Sequence, residues 1–420
     1  MKIFIYILFI CVVLFAENTI KNENILVDLR AVFVDYKYDN YWDDSKAFVT
    51  SVKLGYKRDI VPNLEAGVVF GAIEDFGLSD HDKQSMTYIY NRDTETFSIL
   101  HQAYIKYELN KNYIQLGRFE FSSPLIDSDD YYVLSNSFEG ITASINYKKL
   151  NFQAGHISKM SGSWDAGYDG GTFQSMSISP WLHKADNGET SQWPNPVADF
   201  GIDNSGISFA SIMLSDEKYK FQLWDYYAHE LMNSIYTQLD VKLDTFQISF
   251  QYNTFDEVGQ FKEISDSRAI IDYSVWGAKV SSKIKDIDLT LAYTEVSDDE
   301  SAHLWGSWGG FPYFASGMMV SYFETSLRDT HMYALNADVN FIDNLSTTFH
   351  IGYYDLNKNY TVDTHANRDA PDGEDYMYTY GIGNKYQIND DLSFVLKLAG
   401  RKLQTGNQSD LIRCIVKYTF

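Results

Sequence analysis

The sequence predicts an all-β protein: a transmembrane antiparallel β-barrel of 18 strands, with short turns at one end and long loops at the other. Three observations point there. Polarity alternates residue by residue through segments of about ten residues. The connections between these segments alternate between short and long. The final segment alternates to its end and closes on an aromatic residue.

Twelve segments alternate clearly: 25–38, 47–58, 63–73, 97–109, 140–147, 246–254, 275–283, 287–294, 345–355, 376–386, 392–402 and 411–420. Six alternate more weakly: 113–119, 150–158, 206–214, 219–228, 234–243 and 331–341. Sixteen or twenty strands stay compatible, because such boundaries drift by about two to four residues. Short connections include Asp59–Pro62, Asn110–Asn112 and Asp244-Thr245. Long ones, at 39–46, 74–96, 122–139, 159–205, 255–274, 295–330 and 356–375, fall between them. Tight periplasmic turns and long outer loops make this rhythm.

The faces follow from the alternation. Leu392, Phe394, Leu396 and Leu398 share one face, and Ser393, Lys397 and Arg401 the other. Phe246, Ile248, Phe250 and Tyr252 oppose Gln247, Ser249, Gln251 and Asn253. A soluble barrel would alternate too, but so many strands enclose more volume than side chains fill. Apolar outward and polar inward resolves that. No linker or long repeat interrupts the rhythm, so residues 17–420 read as one barrel domain.

Both ends agree. Met1-Lys2 and the apolar run Ile3–Phe15 read as a signal peptide over residues 1–16, cleaved near Ala16. The run is too short for a membrane helix. At the other end, apolar residues occupy 412, 414, 416, 418 and 420, as in the last strand of bacterial outer-membrane barrels. The expected location is the bacterial outer membrane.

Composition narrows the function. No long apolar run follows residue 16, which excludes a helical membrane protein. The 32 Tyr and 27 Phe suit a barrel with aromatic girdles, and only 7 Pro suits a chain of strands. A net charge of −23 argues against nucleic-acid binding. The acid gathers in loops, as at Asp39, Asp43 and Asp44, or Asp363, Asp369, Asp372, Glu374 and Asp375. The mature chain keeps one cysteine, Cys414, so it forms no internal disulfide.

Cations collect on the polar faces. Arg30, Lys53, Lys397, Arg401 and Arg413 lie on the first two and last two strands, which closure makes contiguous. Lys106 and Lys279 are inward positions elsewhere, while Lys57 and Lys417 fall near the rims. A ladder of cations lowers the barrier to an anion crossing a narrow pore. The plainer reading is rim solvation.

The stretch Gly117-Arg118, then Pro124-Leu125, Asp127, and Asn136-Ser137-Phe138-Glu139-Gly140 is similar to the OprD-like porin family. The specific match spans 117–140; signal, strand rhythm and terminal Phe extend it loosely. The resemblance implies an eighteen-stranded barrel with a third outer loop folded inward as a constriction. It implies a basic wall and passage of small carboxylates, amino acids and related solutes. Pro124 to Asp130 would be the constriction, with Asp127, Asp129 or Asp130 opposing the cations. The family's Arg and Leu-Pro after the loop Asp are replaced by Tyr131, Tyr132, Val133, Leu134 and Ser135, so its selectivity does not transfer. The plainer reading of the three Asp residues is a solvated outer loop.

The 9 histidines are scattered without metal-ligand spacing, and no hydrolase or phosphate-binding motif occurs. An enzyme, a resident metal and a cofactor are therefore not expected. The sequence points to a porin giving passive diffusion of small hydrophilic solutes, with a tilt toward anions or carboxylates. Its other partners would be outer-membrane lipid and lipopolysaccharide. The alternative is a structural or adhesive barrel whose acidic loops bind a partner or calcium. An energised transporter is disfavoured, since no plug segment precedes the first strand. A monomer and a homotrimer would look alike.

Overall fold

The computed structural model describes residues 24–38, 44–79, 96–128, 133–161, 172–176, 181–184, 202, 205–265, 271–299, 302–305, 308–316, 329–356 and 376–419. The segment 1–16 expected to be a signal peptide, the acidic residues at 39–43 and 363–375, Asp129, Asp130 and Phe420 lie outside these.

Eighteen long antiparallel strands form the wall. They are β1 Ile25–Tyr38, β2 Ser45–Val61, β3 Leu64–Glu74, β4 Phe97–Leu109, β5 Asn112–Phe119 and β6 Ser137–Tyr147. Next come β7 Leu150–Ser161, β8 Ile207–Ser215, β9 Tyr219–Ala228, β10 Met232–Lys242, β11 Phe246–Glu257 and β12 Asp272–Ile284. The last are β13 Ile287–Val296, β14 His331–Ile342, β15 Leu345–Asp355, β16 Tyr376–Gln387, β17 Leu392–Leu403 and β18 Gln408–Thr419. A two-residue strand, Gln174–Ser175, extends the sheet beside β7. Each strand pairs with its neighbours in sequence, and β1 also pairs with β18 from Asp28↔Thr419 to Tyr38↔Ser409. Closure leaves no unpaired edge, which a strand crossing lipid requires.

Turn chemistry fits the tight end. The β4–β5 turn is Asn110-Lys111, with φ of 52° and 67°. Positive φ at both central residues is what a two-residue type I′ hairpin needs.

Burial separates the faces. Leu54, Phe70, Leu116, Ile145, Leu291 and Ile351 stand exposed on the outer surface, as a lipid-facing band must. Ser249, Gln251 and Asn253 are buried on the opposite face of β11. Aromatic rings line the outer ends of β12–β16. Trp276–Tyr293 and Tyr293–Tyr333 are each 5.0 Å apart, Tyr333–Tyr353 6.2 Å and Tyr353–Tyr378 5.4 Å. Amphipathic rings suit the headgroup level.

The lumen is not water throughout. In the outer half of the barrel, Phe119, Phe121, Leu125, Ile126, Phe138, Tyr226, Phe255 and Trp308 form one buried apolar cluster. The wall alone cannot supply it. Two outer loops fold inward to complete it.

Candidate permeation site

The third outer loop, 120–136, enters as a small hairpin. Ser122 and Asp127 bridge, Ser123 N donates to Ile126 O at 2.8 Å, and Ser128 N donates to Phe121 O at 2.7 Å. The tip is Pro124-Leu125. Leu125 and Ile126 are almost fully buried.

The seventh outer loop, 297–330, meets that hairpin inside the barrel. Asp127 N donates to Trp308 O at 3.0 Å, and Gly310 N donates to Leu125 O at 3.3 Å. Trp308 Nε1 donates to Met176 O at 2.7 Å, so the fourth outer loop joins them. Gly309 is needed at the junction. Its φ is +90°, and a Cβ there would lie 2.2 Å from Asp127 O and 2.3 Å from Asn136 Nδ2. A Cβ on Gly310 would lie 2.2 Å from Pro124 O. Beyond the junction, Asn253 Nδ2 donates to the Tyr313 hydroxyl at 3.3 Å, Ala315 N to Thr294 Oγ1 at 3.1 Å, and the Tyr354 hydroxyl to Ala315 O at 3.0 Å. The seventh loop is thus tied to β11, β13 and β15. Burial raises the Tyr313 phenol well above its ordinary pKa.

The third loop is latched on the other side. Lys53 Nζ, His101 Nε2 and Ser135 Oγ converge on Glu120 Oε1 at 2.8, 3.2 and 2.6 Å. Ser51 Oγ donates to Val133 O at 2.7 Å. Burial opposes the Glu120 charge. The bond to His101, the Lys53 charge and the bonds from Lys53 and Ser135 outweigh it and hold the carboxyl well below the usual range. Val133 and Leu134 pack on Val32, Val34, Val49 and Leu411, covering this part of the wall.

The seven wall cations predicted from sequence therefore differ in circumstance. Register brings Arg30 opposite Lys417, Val34 opposite Arg413, and Lys397 opposite Arg413. Arg30 and Arg413 are only 3% and 1% exposed. Lys53 is paired with Glu120, and Lys106 with Glu108 at 2.6 Å. Arg401 Nε donates to Ser409 Oγ at 3.1 Å, and Lys397 is half-buried. Lys279 makes no ion pair among the described residues; its ammonium lies 4.2 Å above the Phe314 ring. Near the rims, Lys417 lies 3.6 Å from Asp28. Arg118 pairs with Glu139 at 2.8 Å under the Phe173 ring.

A chamber of about 510 Å³ remains between the two inward loops and the wall of β7–β12. Ser122, Ser123 and Pro124 line it from the third loop, and Pro312, Tyr313 and Phe314 from the seventh. Gln153, Gln222, Gln238, Trp224, Tyr236, Met213 and Lys279 line it from the wall. Of the predicted constriction residues, Pro124 faces the chamber. The Asp127 backbone is fixed by Trp308 and by Asn136 Nδ2, 3.0 Å from its carbonyl.

Sequence reasoning assigned no role to Glu120 or to the whole 308–316 segment. The signal for the latter was present: Gly309-Gly310 amid Trp305, Trp308, Phe311, Tyr313 and Phe314, an apolar density unusual for a solvated loop.

Comparisons with known proteins agree with this architecture. The family described as outer membrane porin, OprD family, matches residues 75–420. No curated protein matches the chain in sequence. Among solved structures, OccAB4 of Acinetobacter baumannii superposes with a TM-score of 0.70 at 15% identity, covering 94% of this chain and 97% of that one. OccK9 (OpdG) of Pseudomonas aeruginosa gives 0.73 at 14%, covering 94% and 98%. OccK8 (OprE) of the same species gives 0.70 at 13%, covering 94% and 98%. The barrel thus sits in the bacterial outer membrane and acts as a channel for small solutes, not as an enzyme, because the chain belongs to the OprD family of outer membrane porins.

Proposed function

We propose that this porin favours small anions, carboxylates among them, and that Lys279 sets the preference. One observation carries the reading: Lys279 lines the chamber at the constriction and makes no ion pair among the described residues. An ammonium in a narrow, partly desolvated passage acts on a permeating charge with little screening. Lys53 and Lys106 each stand beside a carboxylate, so their fields largely cancel at a distance. Lys397 and Arg401 draw anions along the far wall and rank second.

Reversal potential across a planar bilayer under a salt gradient tests this. The native barrel should be anion-selective. Lys279→Met should move the potential most of the way toward zero, and Arg30→Ala with Arg401→Ala should move it less. A potential unchanged in Lys279→Met would sink the assignment.

A further inference from the structure

The amide side of the chamber supports a further reading, which rests on the channel function of the family and not on the anion preference proposed above. We propose that the chamber is a binding subsite for neutral saccharides, pyranose rings in particular. The orientation of its amides is fixed from one end. A carboxylate only accepts, so Gln238 turns its Nε2 toward Asp240, 3.0 Å from each oxygen. Gln238 Oε1 then points away and accepts from Gln222 Nε2 at 3.1 Å and from the Tyr236 hydroxyl at 2.7 Å. Gln222 Oε1 accepts in turn from the Trp224 indole at 3.0 Å. The chain is ordered before any solute arrives.

What it leaves open is specific. An amide nitrogen carries two hydrogens. Gln222 commits one to Gln238, and Gln153 commits one to Asn151 Oδ1 at 3.1 Å. The second hydrogen of each remains, as does Gln153 Oε1, which accepts from no described residue. Lys279 adds an ammonium without a hydrogen-bond acceptor among the described residues. No carboxylate lines the chamber among those residues.

A sugar hydroxyl both donates and accepts, and it loses water on entering a constriction. It must recover both kinds of bond or bear the desolvation cost. Neutral amides supply both without attracting a counter-ion. Pro124, Pro312 and Phe314 offer apolar surface to the C–H faces of the ring. The volume of about 510 Å³ lies within the range of about 300–1,000 Å³ usual for small-molecule sites. A simple carboxylate would need Lys279 alone and would leave the ordered amides without a use.

The test uses the whole refolded barrel with glucose as probe. Saturation-transfer NMR reads glucose binding, and reversal potential reads anion preference on the same preparation. Gln153→Leu with Gln222→Leu should weaken glucose binding about ten-fold, as loss of about 1.4 kcal/mol of hydrogen bonding would. Gln153→Leu alone leaves the Trp224–Asp240 chain intact and should show a smaller loss, should the double variant fail to fold. Glucose binding unchanged in both variants would overturn the subsite. So would an anion-selective native barrel to which glucose does not bind. Glucose binding to a barrel without anion preference would keep the subsite and remove the Lys279 reading.

Discussion

Lys53 and Lys279 are both lysines on the inner wall of one barrel, yet they stand in unlike regions. Around Lys53, on β17, β18, β1 and β2, cations are numerous but committed. Lys53 serves Glu120, two arginines are buried, and Val133 and Leu134 cover the wall beside them. At the open chamber walled by β7–β12, Lys279 is the one lining cation among the described residues, set among glutamines and aromatics. The contrast shows that counting cations along a wall does not give the field a solute meets. A paired cation acts as a dipole, whose reach is short; an unpaired one acts as a charge. The crowded sector holds a loop in place. On the reading proposed above, the sparse one acts most strongly on the solute.

The comparison can be broken or sharpened in several ways. Its foundation is the assignment of faces. Leu396 pairs with Cys414 on the lipid-facing side of β17, so Leu396→Arg should cost about 2–4 kcal/mol of membrane stability by denaturant titration. A neutral change would invert both sectors. Next is the separation of the chamber from the rest of the lumen. Gly309→Ala should cost about 1–3 kcal/mol through overpacking at the loop junction, and single-channel conductance should rise as the loops part.

The latch around Glu120 gives a pH test. Its folded pKa is depressed, so its stabilisation is full above the unfolded carboxylate value of about 4.3 and is lost only as pH falls through the lower folded value. Conductance should therefore hold steady from neutral pH through the ordinary carboxylate range and change below it. Glu120→Gln should show the altered conductance already at neutral pH. The smallest effect belongs to Ser51→Ala, which removes one bond to Val133 and should cost about 0.5–1.5 kcal/mol. Its reversal potential should match the native one, since Ser51 carries no charge and its bond only holds the third loop.

Much of this was legible before any coordinates. Strands 25–38, 97–109, 219–228 and 345–355 begin and end where their alternation does. A wall wet on one face and greasy on the other writes itself into sequence with period two. The inward fold of the third loop was legible through its likeness to a family, not through its own periodicity. The seventh loop's entry was not legible, because no period marks it. Its contacts join residues far apart: Trp308 reaches Met176 across 132 positions. Lys53 was read only as an inward cation; Glu120, 67 residues away, decides what it meets. Alternation tells which way a side chain points and says nothing of what it meets.

The junction at Gly309 has a consequence for exchanging parts between relatives. The third and seventh loops share backbone hydrogen bonds, and neither leaves room for a side chain between them. The aperture is therefore a joint property of two segments far apart in the gene. A graft of one loop alone would face a partner shaped for another surface. Selectivity in such a barrel should pass between relatives only when both loops travel together.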